Sequence, residues 1–308
     1  MACFFCAVIF LRFMTASAEP SCKDTSSDFE TSYTCEGFNK PGDFDNYVDR
    51  PFNRKALTFI LEDCHLSYLP YGAFVGINVT LLELINVTLM TTFDASPLKE
   101  VERTLERISF SYNSTLPESW AALQIVPRLK TLSFSKMHRL NLTEDFNNLP
   151  HTVRGISIVY STIERITEHW LSELRNLEYI VIRDSKLETF SRSMLPRPAP
   201  RLRNIDLNFN EISEIHSDFD EDLPALAFLD LEGNRITSLK ERSVGRLLNG
   251  SRTLILLGQN PLHCDCSVAF LRISSERRVR ARCETPEAVK GRQVQTLSDQ
   301  DMGCPLDA

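Results

Sequence analysis

A chain of 308 residues with 34 Lys and Arg against 41 Asp and Glu carries a formal charge of -7. That balance argues against nucleic acid as the main partner, since phosphate binding is driven by clustered cations. A compact chain of this length would ordinarily divide into two or more domains, unless it grows by repetition in one dimension.

Residues 1–18 hold an apolar run (Phe4, Phe5, Ala7, Val8, Ile9, Phe10, Leu11) and end in Ala16-Ser17-Ala18, a small-x-small cleavage signal before Glu19. They read as a secretory signal peptide, too short to span a membrane. No other window approaches the roughly 18 uninterrupted apolar residues of a membrane-crossing helix, so no membrane span is expected in a soluble mature chain. Removing the segment takes away Arg12 and no acid, leaving 33 basic against 41 acidic residues. Of nine cysteines, Cys3 and Cys6 leave with it. The other seven suit an oxidising, extracellular setting, in which residues 19–55 form an N-terminal cap closed by Cys22 and Cys35.

From Ala56 onward one spaced pattern, L-x-x-L-x-L-x-x-N, recurs nine times, starting at Ala56, Val79, Leu105, Leu129, Val153, Leu177, Leu202, Leu226 and Arg252. The steps of 23 to 26 residues are those of leucine-rich repeats. Eight repeats occupy 56–251, and 252–308 holds the last repeat strand with a C-terminal cap. Each L-x-L core, such as Ile205-Asp206-Leu207, alternates as a strand with one buried face does. Neighbouring strands should pair into a curved parallel sheet on the concave face, with an irregular or short-helical convex face: an α/β leucine-rich-repeat solenoid with disulfide-bonded caps.

Two further columns follow from the register. The ninth positions are Cys64, Val87, Asn113, Met137, Ser161, Ser185, Asn210, Asn234 and Asn260, where an inward Asn satisfies backbone groups freed as the chain leaves the strand. Val87 and Met137 cannot serve that ladder, so the N-terminal half should be less regular. Cys64 at such a position is read as a buried free thiol. An outer column of Phe74, Phe93, Trp120, Phe146, Trp170, Met194, Phe219 and Val244 assigns both tryptophans to the core.

The C-terminal stretch reads Asn260-Pro261-Leu262-His263-Cys264-Asp265-Cys266, then Phe270-Leu271, Arg282-Cys283-Glu284-Thr285-Pro286, Gly291 and Cys304. It resembles the four-cysteine C-terminal flank of extracellular leucine-rich-repeat proteins. Spacing alone allows three pairings; the resemblance implies Cys264 with Cys283 and Cys266 with Cys304. With Leu69-Pro70-Tyr71-Gly72-Ala73-Phe74 in the first repeats, the whole chain is similar to a compact secreted arthropod group that includes the non-catalytic subunit of Oplophorus luciferase.

Catalytic chemistry is not indicated. The six histidines are scattered, no metal or cofactor motif occurs, and His216-Ser217-Asp218 reads as a solvated turn. Function is instead expected on the concave sheet, at the residues flanking the later L-x-L cores: Tyr160, Tyr179, Arg183, Asp184, Asp206, Asn208, Phe209, Phe228, Asp230 and Glu232. Stacking would gather Asp206, Asp230 and Glu232 into an exposed acidic strip flanked by Tyr179, Phe209 and Phe228, a pairing of aromatics with charge used at protein interfaces.

Asn78, Asn86, Asn141 and Asn249 head N-x-S/T sequons and are expected to carry glycans; Asn113 heads a fifth but is expected to be buried in the ladder and unmodified. A glycan on Asn86 would obstruct the N-terminal concave surface and favour the C-terminal half as the contact region. The clusters Arg197-Arg201-Arg203 and Arg277-Arg278-Arg280-Arg282 are read as solvated surface, although the second could serve a glycosaminoglycan. Together these readings give a secreted, non-enzymatic glycoprotein that binds an extracellular protein or glycan. The arthropod resemblance implies another role, a stabilising partner of a catalytic subunit in a secreted oxidoreductase complex.

Overall fold

A computed structural model describes residues 19–49, 56–250, 253–275 and 277–305. The segment read from the sequence as a signal peptide, residues 1–18, lies outside them.

The alternating apolar cores form the repeat strands Leu57–Glu62, Val79–Ile85, Arg107–Ser111, Thr131–Ser135, Gly155–Val159, Tyr179–Arg183, Asn204–Asp206, Phe228–Asp230 and Leu254–Leu256. Each pairs in parallel with the next, and Phe59, Leu61, Ile108, Phe110, Ile156, Ile158, Ile205, Leu207, Leu229 and Leu231 are fully buried on one side. At the front a hairpin, Ser21–Asp24 with Ser32–Glu36, adds its second strand in parallel to the first repeat. At the back Val279–Arg280 joins Leu254–Leu256 and completes a twelve-stranded sheet. Away from the sheet, the described residues of the repeats form mostly short 3-10 turns and two short parallel strand pairs, with the helix Glu241–Gly250 near the C-terminal end. The irregularity expected in the N-terminal half takes the form of a register shift between Leu57 and Thr58 and an extra residue in the third repeat.

The outer aromatic column packs edge to face from repeat to repeat: Phe110 with Trp120, Trp120 with Phe134, Phe146 with Trp170. Such contacts add to area burial because ring edges meet ring faces of opposite charge. Both tryptophans are core residues. Disulfides join Cys22 to Cys35, Cys264 to Cys283 and Cys266 to Cys304. Cys64 is buried and unbridged, and burial pushes its thiol up to about 11.

The ladder explains how the chain leaves each strand. Asn210 donates from Nδ2 to the carbonyls of Ile182, Leu207 and Asn208, and its Oδ1 accepts from the amides of Ser185 and Leu187. Asn234 and Asn260 repeat the arrangement. Val87 and Met137 are tolerated because the next repeat supplies a hydroxyl: Ser114 accepts from the Val87 amide and Ser161 from the Met137 amide.

The third repeat departs from the sequence register. Ser114, not Asn113, is the buried ladder residue, and Asn113 is exposed. One inserted residue causes the shift: Tyr112 and Asn113 adopt left-handed backbone in succession, φ 51° and 60°, where the other repeats have no second such residue directly after the first. The expectation that burial protects Asn113 from glycosylation is therefore withdrawn.

Candidate functional site

The solvent-facing side of the sheet consists of three rows. The first contains Arg107, Thr131, Gly155, Tyr179, Asn204, Phe228 and Leu254; the second, Ser109, Ser133, Ser157, Val181, Asp206, Asp230 and Leu256. The third begins Ser111, Ser135, Val159, Arg183 and continues beyond the paired residues through Asn208 and Glu232. Apart from Arg107 and Val159, repeats three to five thus present a floor of serines, threonine and glycine. From Tyr179 onward bulky and charged side chains predominate.

Tyr179 does not stand free as an anchor. Its ring lies across Gly155, where any Cβ would overlap it, and its hydroxyl is 3.0 Å from Thr131 Oγ1, two strands away. The absence of a side chain at Gly155 is what lets the ring lie flat.

The exposed acidic strip is not formed. Asp206 and Asp230 are buried, whereas Glu232 is half-buried. Arg183 Nε donates to Asp206 Oδ2 at 2.8 Å, with a second bond from Nη2, and Asn208 Nδ2 donates to Asp230 Oδ2 at 3.2 Å. The backbone amides of Asn208 and Glu232 reach Asp206 Oδ1 and Asp230 Oδ1. Hydrogen bonding to Asp206 raises the Arg183 guanidinium above its usual range. Burial raises the Asp230 carboxyl, with the neighbouring Asp206 and Glu232 charges adding to it. Both aspartates are therefore internal braces of the sheet surface, because the side chains of adjacent repeats fold down onto them. Glu232 reaches over Gly258 and accepts from Gln259 at 3.1 Å.

Along one edge runs a feature the sequence pattern does not show. Asp63, Asn86, Tyr112, Lys136, Tyr160, Asp184, Phe209, Gly233 and Gln259 all have left-handed backbone, φ 48° to 67°. Each immediately follows a strand or its extension, and successive members donate their amides to the next repeat, as Tyr160 does to Arg183 O and Phe209 to Glu232 O. Only one of the nine is glycine, so the turn is imposed by the ladder rather than by local preference.

This row carries Tyr160, 63% exposed, and Phe209, 45% exposed, with Asp184 between them. The Phe209 ring rests on Gly233, leaving one face to solvent. Phe228 is half-buried and stands in the first row, at the strand-entry edge away from this row. The row also holds two residues not anticipated from sequence, exposed Tyr112 and Lys136, whose ammonium lies 4.4 Å from the Tyr112 ring centre. A cleft of about 670 Å³ flanks Tyr160 through Asp63, Asn86, Tyr112, Lys136 and His138. Another, of about 360 Å³, lies past Glu232 against Arg280 and Arg282 of the cap.

Of the sequons, Asn86, Asn141 and Asn249 are exposed and Asn78 is half-buried. Among the described residues no group of three or more His, Cys, Asp or Glu side chains is placed to hold a metal ion, and no helix is long and apolar enough to cross a membrane.

Residues 280–305 match the leucine rich repeat C-terminal domain, a span that includes Cys283 and Cys304. Mouse CD180 antigen is 24% identical over 237 residues, covering 66% of this chain, and mouse Toll-like receptor 9 is 24% identical over 183 residues, covering 57%. The matched regions span only 35% and 17% of those relatives' lengths. Among solved structures, a chain of the octameric complex of latrophilin 3, Unc5D and FLRT2 (LRR) superposes with a TM-score of 0.57 at 23% identity, covering 80% of this chain and 83% of that one. The protein is a leucine-rich-repeat solenoid whose parallel sheet is closed at both ends by disulfide-bonded caps.

Proposed function

We propose that this is an extracellular, non-enzymatic recognition protein that captures a protein partner on the left-handed row and adjoining sheet surface of its C-terminal half. The observation that carries the reading is the row itself: Tyr160, Asp184 and Phe209 are presented outward from backbone locked by buried hydrogen bonds. Aromatic anchors held on a rigid base lose little freedom when a partner binds, and such anchors dominate interface energies. Arg183, Asn208 and Glu232 adjoin them, Phe228 stands at the strand-entry edge of the same sheet, and Tyr179, Asp206 and Asp230 hold the surface in shape. The three disulfides and the family relation of the C-cap support the extracellular setting.

Crosslinking with mass spectrometry on the native secreted protein would identify the partner. Substituting Tyr160, Asp184 and Phe209 together by serine should then weaken capture by at least about 30-fold, the scale of one interface hot spot, without lowering thermal stability. Unchanged binding by a folded variant refutes the site. Recovery of a stoichiometric catalytic chain would instead make the protein a stabilising subunit, as the arthropod resemblance implies.

A further inference from the structure

The opposite edge of the sheet, where the chain enters each strand, carries a second surface of different chemistry. Arg128, Lys130, His151, Arg154, Asn176 and Arg201 line a cleft of about 340 Å³ there. Arg128 and Lys130 are near neighbours in the chain, and the fold brings Arg154 and Arg201 from later repeats alongside them. Lys130 and Arg154 occupy equivalent positions just before adjacent strands, the Arg154 amide donating to the Lys130 carbonyl at 2.7 Å. Arg107, Arg175 and Arg203 are exposed along the same edge.

Three carboxylates enter this region: Glu106 pairs with Lys130 at 2.7 Å and Arg128 at 3.2 Å, Glu178 with Arg154 at 3.5 Å, and Glu83 lies near Arg107. Seven cations against three acids leave a local excess of positive charge on a chain whose total is -7. Strands neighbour one another at about 4.8 Å, so the cations form a line running along the solenoid.

We propose that this edge binds a sulfated polysaccharide chain, lying across the fourth to seventh repeats. Guanidinium forks match sulfate oxygens in pairs, and a line of cations on a regular spacing suits a linear polyanion. The cleft carries no Phe, Tyr or Trp on which unpaired bases could stack, which disfavours single-stranded nucleic acid. Exposed Asn86 and Asn113 lie at the far ends of their strands, about 17 Å away for a five-residue strand, so sugars there leave this edge clear.

The test uses the full secreted chain on immobilised heparin. The wild type should be retained at physiological ionic strength. The variant Lys130→Gln/Arg154→Gln/Arg201→Gln should bind at least about tenfold more weakly, with its salt dependence reduced by roughly 2–3 counterions. A charge-matched control elsewhere, Arg139→Gln/Arg165→Gln/Arg242→Gln, should bind like the wild type, and Glu106→Gln should bind more tightly. Should the triple variant unfold, Arg201→Glu alone at its exposed position repeats the test. The proposal is overturned if the wild type fails to bind, if the control weakens as much as the triple variant, if Glu106→Gln changes nothing, or if desulfated heparin or duplex DNA of equal length binds equally well.

Discussion

The asparagine ladder is the point at which a single atom-for-atom change should be felt most. Asn210 makes five hydrogen bonds to backbone groups of two repeats, at 2.7 to 3.2 Å, and is buried. Replacing it with alanine removes the acceptor for the amides of Ser185 and Leu187 and the donor to three carbonyls. Each buried amide left without a partner costs about 1–3 kcal/mol, and carbonyls, with two lone pairs, cost less. The total comes to about 3–5 kcal/mol, or a fall in Tm of roughly 6–10 °C for a chain of this size. Asn210→Ser should lose about half as much, because a hydroxyl still supplies one acceptor and one donor, as Ser185 and Ser161 do in preceding repeats. Urea and thermal unfolding give the totals. Hydrogen exchange at the Ser185 and Leu187 amides reads the local effect, since each repeat contacts only its neighbours. A loss below about 1 kcal/mol for the alanine variant, or equal losses for alanine and serine, would refute the reasoning.

Three further outcomes follow from the packing. Gly155→Ala should evict the Tyr179 ring and cost about 1–3 kcal/mol, with Tyr179 becoming accessible to nitration; unchanged protection would mean that the ring does not rest there. Ser114→Ala should cost about 1–3 kcal/mol and Asn113→Ala under about 1 kcal/mol, measured by the same melts; the reverse ranking would restore the sequence register of the third repeat. Asp301 is held well below the ordinary carboxylate range by Arg292 and by the amide and hydroxyl of Ser298. Its folded pKa is depressed, so its stabilisation is complete above an unfolded value of about 3.9 and lost as pH falls toward the folded one. Asp301→Asn should therefore be less stable than wild type at pH 7, with the gap closing below about pH 4; a gap that persists in acid contradicts the assignment.

The buried columns were legible because leucine, isoleucine and phenylalanine recur with a spacing that only stacked strands can satisfy. The misplacement in the third repeat has a specific origin. Asn113 stands at the preferred spacing and is the preferred residue type, whereas the inserted residue that moves the ladder to Ser114 changes no apolar position. The acidic strip failed for a different reason. Alternation along a strand reports which face a residue occupies, but Asp206 is buried by Arg183, 23 residues earlier, and Asp230 is held by Asn208. Pairing between repeats leaves no mark on the period. Gly155 and Tyr179 illustrate the same limit, since their relation appears only once the strands are stacked.

The left-handed row shows why a recognition surface can coexist with so repetitive a core. At the leucine positions the fold determines the side chain, and at the ladder it determines the hydrogen-bonding group. At the row it determines only the backbone. Eight non-glycine residues accept a conformation that isolated chains disfavour by about 1 kcal/mol or more, and the buried ladder offsets that strain. Because the strain is met by backbone bonds, the side chain is free to be Asp63, Lys136, Tyr160 or Phe209 without disturbing the coil. A position with fixed backbone and unconstrained side chain is where affinity can be altered at the least cost to folding. The sequence pattern, built from the residues that are constrained, is silent at those positions.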